Sequence, residues 1–269
     1  MKVALCLSGI IGKKGSRHGG GSIGEDIHPK VGYHFWRESL LQHYDVDTFL
    51  HCWTPDKQEV LDELYQPKKT VYEEQKVWHP PSGDWLKEYN YPLDSVEDLL
   101  NDKRYANLPN DFGDDIWDDL RHHATRSRSR WFGNKRAVEL KEQYEKENNF
   151  KYDIVIVGRY DLWIADRFKL EDLEKGYFYA CQRTNGHVIR DDHEYALQDH
   201  IFLGDSELVD KFYTLYDYIP DYAIEAPKAA WEHMERFIGL DKFKFFSWRF
   251  IEDYNVLRWK YSQNQLEGI

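Results

Sequence analysis

A cluster of arginines in the middle of the chain could bind phosphate groups. Residues 121–130 read RHHATRSRSR, and two further basic residues follow at 135 and 136. Because a guanidinium group pairs with two phosphate oxygens at once, Arg126 and Arg130 are candidate contacts for a nucleotide diphosphate. One alternative is a solvated helix face that balances the aspartates just before it, and an RNA-binding patch comes third because the rest of the chain is acidic.

A carboxylate follows the most strongly strand-like run of the sequence. The run YDIVIVG spans residues 152–158 and leads directly into Arg159 and Asp161. In an open α/β sheet, ligands bind outside the carboxyl ends of the strands. Asp161 would therefore face the ligand and could hold a divalent cation on a diphosphate. The alternative is an aspartate that caps the next turn.

A further candidate segment reads DDHEYALQDH at residues 191–200 and directly precedes an apolar run. Its acidic residues, Asp191, Asp192, Glu194 and Asp199, could supply a general base toward a hydroxyl group. His200 could contact a metal ion or a phosphate, although a lone histidine is more often structural. The zinc-protease pattern HExxH is excluded, because Leu197 stands where its second histidine would be.

A glycine-rich segment follows the first predicted strand at Ser8 and Gly9. Residues 9–24 contain seven glycines and several cations, among them Arg17. The segment matches neither the P-loop nor the GxGxxG pattern, which removes the fingerprints of P-loop kinases and Rossmann dehydrogenases. Backbone N–H groups and cations here suit an anionic ligand, and a solvated loop is the alternative.

Alternating strand-like and helical segments must position these residues, and they predict an α/β fold. Strands are predicted over residues 2–8, 46–52, 69–73, 152–158, 177–181 and 196–203. Helices are predicted over residues 33–43, 56–65, 116–148, 208–219 and 223–238, with a break in the third at Gly133. We expect a single domain over residues 1–269 with a mainly parallel central sheet flanked by helices. An irregular insertion over about 78–115 and a helical C-terminal tail over about 220–269 complete the prediction.

Two aromatic side chains near the end of the second predicted strand, His51 and Trp53, could flank a base or a sugar ring. Core packing is the alternative for Trp53.

Composition narrows the class of protein. Of 269 residues, 41% are hydrophobic and 31% are charged, which is typical of a folded globular protein. The formal net charge of -12 would repel a phosphate backbone, so we expect no nucleic-acid partner. Aromatic residues make up 16%, which suits a carbohydrate-binding surface, although a large core is the plainer explanation.

Cysteine content and hydropathy bear on the location of the protein. Cys6, Cys52 and Cys181 lie in apolar runs without CxxC spacing, so they predict neither a disulfide framework nor a zinc site. No apolar stretch approaches the roughly 18 residues that a membrane span needs. We therefore expect a cytoplasmic protein without a membrane span.

The order of these segments resembles that of a known family. The chain is similar to GT-A-type glycosyltransferases encoded in bacterial capsule and lipopolysaccharide loci and in large DNA viruses and phages. The segments that carry the likeness are DTFLHCW at 47–53, LYQPK at 64–68, and FKYDIVI at 150–156 with Arg159-Tyr160-Asp161 after it. The resemblance covers about residues 1–76 and 129–218.

The resemblance implies a nucleotide-sugar site at the carboxyl ends of the first strands. In such enzymes an Asp-x-Asp-like motif after the central strand holds Mn²⁺ or Mg²⁺ on the diphosphate. Asp161 would stand at that motif, and Asp199 would lie near the acceptor or the reacting carbon. Arg159 replaces the first Asp, so either Asp161 binds the metal with His200 or water, or arginines replace the metal. The candidate nucleotide contacts are Ser8, Gly9, Arg17, His51, Trp53, Arg126, Arg130 and Arg159.

The expected activity is sugar transfer from a nucleotide-sugar donor, UDP-linked by default, to a hydroxyl of a glycan acceptor. The sequence leaves open whether the reaction inverts or retains the anomeric configuration. A glycan-binding protein without catalysis is one alternative. A sugar-nucleotide nucleotidyltransferase, which would release pyrophosphate, is the other, but residues 9–24 match its glycine-rich signature poorly.

Overall fold

The computed structural model describes residues 1–14, 25–78, 116–182, 196–249 and 252–262. For residues 116–120, 182, 259, 261 and 262 it describes the backbone alone. Arg17 and residues 79–115 of the predicted insertion lie outside the described residues.

Strands and helices alternate along the chain, as predicted. The strands are β1 (Val3–Gly9), β2 (Val46–Cys52), β3 (Lys69–Tyr72), β4 (Ile154–Arg159), β5 (Leu162–Ile164), β6 (Phe178–Gln182), β7 (Leu197–Gly204), β8 (Phe243–Phe246) and β9 (Tyr254–Val256). The helices are α1 (Pro29–Trp36), α2 (Gln58–Tyr65), α3 (Ile116–Asn148), α4 (Ser206–Phe212), α5 (Ala226–Phe237) and α6 (Leu257–Ser262). Helix α1 begins before the predicted residue 33, because His28 accepts a hydrogen bond from the Lys30 N–H and Pro29 fits the first turn.

A seven-stranded mixed sheet forms the centre of the described fold. Its strand order is β3-β2-β1-β4-β7-β6-β8. Strands β3, β2, β1 and β4 are parallel, β7 is antiparallel to both of its neighbours, and β6 and β8 are parallel. This mostly parallel α/β arrangement is compatible with a Rossmann-like fold. The strand order reverses between β1 and β4, and ligands of open α/β sheets bind at such a switch point.

The sheet separates two hydrophobic cores, and β1 contributes to both of them. Ala4 and Cys6 pack on the side that holds Trp131 of α3, while Leu5 and Leu7 pack on the side that holds Trp36 of α1. All four β1 side chains have no exposed surface. Burial on both faces explains the continuous apolar run at the start of the sequence.

Helix α3 is continuous, so the predicted break at Gly133 is wrong. A Cβ atom at Gly133 would lie 3.1 Å from His51 Nδ1 and 3.5 Å from Ser8 Cβ. The glycine therefore serves the packing of α3 over the ends of β1 and β2 rather than a helix end. It allows the helix to run close to the carboxyl edge of the sheet.

The predicted helical tail is corrected as well. Within residues 220–269 the structure contains α5 and α6 but also two strands, β8 and β9. Strand β8 extends the large sheet beside β6, and β9 pairs with β5 in a second, two-stranded sheet. Among the described residues, no helix is long and apolar enough to cross a membrane.

Replacing Gly32 by Ala is expected to destabilise the fold by about 2–3 kcal/mol. The added Cβ would lie 1.9 Å from the Tyr160 carbonyl oxygen, so α1 would have to move away from the segment that precedes Asp161. Denaturant unfolding measures the loss. Gly176→Ala is the control, because its Cβ would meet nothing within 4 Å and only its positive φ of 83° opposes the change. A loss for Gly32→Ala no greater than the roughly 1 kcal/mol expected of the control would contradict the prediction.

Candidate functional site

A cavity of about 360 Å³ opens where β1, β2 and β4 end, beside α3. Of the eleven residues that the sequence predicts for a site, eight line this cavity: Ser8, Gly9, Trp53, Arg126, Arg130, Arg159, Asp199 and His200. The other lining residues are Ile10, Gln75, Lys76, Thr125, Ser129, Asn134 and Arg258. The cavity therefore lies at the switch point of the strand order.

The parallel strands bring three of the lining residues together. Ser8 of β1 is the direct register neighbour of Arg159 of β4, and Trp53 follows the last residue of β2. The Trp53 N–H donates a hydrogen bond to the Gly9 carbonyl at 3.1 Å. Ser8 in turn donates to the Asn134 side chain, which joins β1 to helix α3.

An irregularity in β7 places two consecutive side chains in the cavity. Ala180 of β6 pairs with Phe202, but the next residue, Cys181, pairs with Gln198, so the register shifts at this point. In a regular strand, neighbouring side chains point to opposite faces of the sheet. Bulges near binding sites change the direction of a side chain, and here Asp199 and His200 both line the cavity.

The cavity is strongly cationic, although the whole chain has a net charge of -12. Five cationic side chains line it: Lys76, Arg126, Arg130, Arg159 and Arg258. Among the described residues, one carboxylate, that of Asp199, faces them. Burial lowers the pKa of Arg130 to about 10, and it lowers the pKa of Arg258 to the same value, so both guanidinium groups remain charged at neutral pH. The arrangement suits a ligand with two or more negative charges.

Asp161 lies behind the cavity wall rather than on it. Arg159 donates two hydrogen bonds to its carboxylate, Nε to Oδ1 at 2.6 Å and Nη2 to Oδ2 at 2.8 Å. Arg258 Nη1 lies 3.4 Å from Oδ2, and the Asp161 side chain has no exposed surface. Burial alone would raise the pKa of Asp161, but the neighbouring Arg159 and Arg258 hold it below its ordinary value.

The donor set at Asp161 does not fit a divalent cation. Both carboxylate oxygens bond to guanidinium groups, which are competitors of a metal ion for the same lone pairs. Asp199 and His200 are further candidate ligands that line the cavity, and Asp199 Oδ2 lies 3.2 Å from Arg130 Nη1. Within the described part of the chain, no group of three His, Cys, Asp or Glu side chains could hold a metal ion.

Asp199 and His200 lie in a polar network at the cavity wall. Arg130 Nη1 donates to the Asp199 carbonyl at 2.5 Å and pairs with its carboxylate. Gln198 Nε2 lies 3.1 Å from His200 Nδ1. Burial lowers the pKa of His200 to about 3, against the opposing effect of Asp199, so the ring is neutral at physiological pH. His200 can therefore exchange hydrogen bonds with a ligand but adds no positive charge.

His51 does not reach the cavity, in contrast to the prediction. Its side chain is fully buried, and its Nε2 atom lies 3.0 Å from Glu73 Oε1. Its ring packs edge-on against Trp53, with a centroid distance of 4.5 Å. Burial lowers the pKa of His51, opposed by Glu73. His51 thus supports Trp53, and Trp53 alone of the pair lines the site.

Sequence reasoning did not identify Asn134, Lys76 or Arg258 as part of a site. Asn134 follows Arg126 and Arg130 at intervals of four residues, so the helical period of α3 would have indicated it. Lys76 and Arg258 carried no such signal. They reach the cavity only through the folding of segments that lie far from it in the sequence.

The chain matches no protein-family model and no curated protein sequence. Its class is therefore defined by its own architecture and site. It is an α/β protein with a mostly parallel mixed sheet and a cationic cavity at the switch point of that sheet.

Proposed function

We propose that this protein is a GT-A-type glycosyltransferase that transfers a sugar from a nucleotide-sugar donor to a hydroxyl of a glycan acceptor. One observation carries the proposal. A chain with a net charge of -12 directs five cationic side chains into one cavity at the carboxyl ends of its parallel strands. A nucleoside diphosphate is the ligand class that matches this charge and this position.

The donor would lie across the ends of β1, β2 and β4. Its diphosphate would contact Arg130 and Arg159, and its nucleoside would lie beside Ser8, Gly9 and Trp53. A volume of about 360 Å³ is at the lower end of the range for small-molecule sites, which is roughly 300–1,000 Å³. Uridine is the default base in this proposal.

The arginines would accelerate the reaction by stabilising the leaving diphosphate. When the bond between the anomeric carbon and the phosphate oxygen breaks, negative charge develops on that oxygen. Cations that are already fixed in place stabilise such charge without having to reorganise. In an inverting reaction the Asp199 carboxylate would accept the proton of the acceptor hydroxyl. A retaining reaction would not need this base.

A glycan-binding protein without catalysis is the second candidate, and an aromatic cluster beside the cavity favours it. Trp53 stacks on Phe132 with ring centroids 5.6 Å apart, and Trp78 and Tyr216 each lie 5.3 Å from the same ring. Aromatic faces bind sugar rings in many proteins. This candidate explains the aromatic side chains but leaves the arginines of the cavity without a ligand.

A thermal-shift panel with UDP, GDP, CDP and dTDP tests the proposal. At about 100 times its Kd, a bound nucleotide should stabilise the fold by about 2.7 kcal/mol. For a chain of this size that corresponds to an increase in Tm of about 5–10 °C. A transferase would be supported by two results together. One nucleoside diphosphate stabilises the fold selectively, and the same diphosphate is released when the matching nucleotide sugar is the substrate. Release of pyrophosphate would indicate a nucleotidyltransferase, and no shift with any nucleotide would favour the glycan-binding candidate.

The proposal keeps two predictions that the fold does not test, a cytoplasmic location and a glycan or glycoconjugate acceptor. The predicted cofactor, Mn²⁺ or Mg²⁺, is not part of the proposal, because the carboxylate oxygens of Asp161 bond to arginines.

A further inference from the structure

We infer that Asp161 is a positioning residue that fixes Arg159 and Arg258 on the cavity wall, where the two guanidinium groups bind the diphosphate without a divalent cation. The inference rests on the proposed function, since it names the groups that would hold the donor. It assigns a role to Arg258, which the sequence did not connect with the site.

Arg159 is held in one orientation by the carboxylate behind it. A guanidinium group has five N–H donors, and Asp161 occupies one on Nε and one on Nη2. The two bonds are parallel, so they fix the plane of the group as well as its position. The side chain of Arg159 keeps 14% of its surface exposed and lines the cavity. Its other three N–H donors have no partner within the described part of the chain and can bind a ligand.

Arg258 reaches the same carboxylate from the C-terminal part of the chain. Strand β5 begins at Leu162, directly after Asp161, and Leu162 pairs with Val256 of β9. The Leu257 N–H donates to the Asp161 carbonyl at 2.8 Å, and Arg258 is the next residue. Asp161 thus holds the C-terminal segment through its main chain and Arg258 through its side chain.

Arg258 retains hydrogen-bonding capacity that nothing in the described residues uses. Its Nε atom is buried and has no hydrogen-bond partner among them, and only 9% of the residue is exposed. A buried donor without a partner is costly, and a charged one more so. The Nε atom itself is covered, but the side chain of Arg258 lines the cavity, so an anionic ligand there can accept hydrogen bonds from its guanidinium group.

The charges support binding without a metal ion. One carboxylate lies between two guanidinium groups, so the cluster keeps a net positive charge. Arg130, which also lines the cavity, adds a further cation opposite Asp199. These groups supply the positive charge that a divalent cation would otherwise provide to a diphosphate.

The inference is tested by titration calorimetry with UDP, GDP, CDP and dTDP, each measured once in EDTA and once in Mn²⁺. The diphosphate that binds should have a Kd in EDTA within about threefold of its Kd in Mn²⁺. Binding that needs Mn²⁺, or that tightens about tenfold or more with it, would overturn the inference and leave the proposed function standing. Absence of binding under both conditions would overturn the proposed function and this inference with it.

Variants show whether Asp161 and Arg258 act on diphosphate binding or only on the stability of the fold. Arg258→Met should weaken diphosphate binding in EDTA by about 10- to 100-fold, and Arg258→Lys should recover part of the loss. Asp161→Asn should also weaken binding, and Mn²⁺ should not restore it. Arg37→Met is the control, because this arginine is half exposed and pairs with its neighbour Glu38. Unchanged binding in folded Arg258→Met would contradict the inference, even where Asp161→Asn fails to fold.

Discussion

Replacing Asp199 by Asn is expected to lower kcat for sugar transfer by about 100-fold or more. The amide keeps the size of the side chain but cannot accept the proton of an acceptor hydroxyl. Affinity for the nucleoside diphosphate should stay within about threefold, because Arg130 and Arg159 remain in place. Initial rates with the nucleotide sugar identified by the thermal-shift panel give kcat, and calorimetry gives the affinity.

Asp217→Asn is the matched control for this variant. Asp217 also pairs with a cation, with Lys135 Nζ at 2.6 Å, but its side chain is 48% exposed and does not line the cavity. It should keep kcat within about twofold of the original protein, since exposed ion pairs contribute little. If Asp199→Asn kept its kcat as well, Asp199 would not be the base, and a retaining reaction would be the better interpretation.

Much of the fold follows from the sequence because parallel strands that are buried on both faces appear as continuous apolar runs. Residues 46–52 are predicted as a strand and form β2 with the same bounds. The pattern also predicts β1, β4, β6 and β7 to within about two residues, and the mainly parallel α/β sheet is confirmed. The pattern does not predict β5, β8 or β9. These strands are only three or four residues long, and β5 and β9 pair with each other in the small sheet.

The site was only partly predictable, for reasons that concern geometry. The rule that ligands bind at the carboxyl ends of parallel strands brings Ser8, Trp53 and Arg159 to one edge, and the cavity is found there. The rule gives no information on which way a side chain turns. It cannot show that Asp161 faces inward to two arginines while the register shift in β7 turns Asp199 into the cavity.

Gly133 illustrates a different difficulty, because one residue type has two uses. In an isolated sequence a glycine within a helical pattern suggests an interruption. In the folded chain it lets α3 approach His51 and Ser8 closely, and the helix continues to Asn148. Distinguishing the two uses requires knowledge of what lies opposite the helix.

The position of α3 also depends on a buried ionic cluster on the far side of the sheet from α1. Lys141 has no exposed surface, and its ammonium group donates to Glu145 at 3.1 Å and to Ser206 at 2.6 Å. It also donates a short hydrogen bond to Asp210, and so connects α3 with α4. Glu145 in turn accepts a hydrogen bond from the Tyr152 N–H at 2.9 Å, just before β4. The cluster therefore fixes the helix that carries Arg126 and Arg130 to the strand that carries Arg159.

Replacing Lys141 by Met is expected to lower the free energy of unfolding by about 3–5 kcal/mol. The methionine fills most of the space, but it leaves the carboxylates of Glu145 and Asp210 close together. Of the described residues, the half-exposed Lys151 is then the one cation that pairs with both. Urea unfolding measures the change as a shift of the midpoint at constant slope. Lys69→Met is the control, since Lys69 pairs with an exposed Glu147 at 2.7 Å and should contribute about 1 kcal/mol or less. Equal losses of unfolding free energy in the two variants would show that the buried cluster does not hold α3 in place. The apolar packing of the helix would then be what positions the arginines of the cavity.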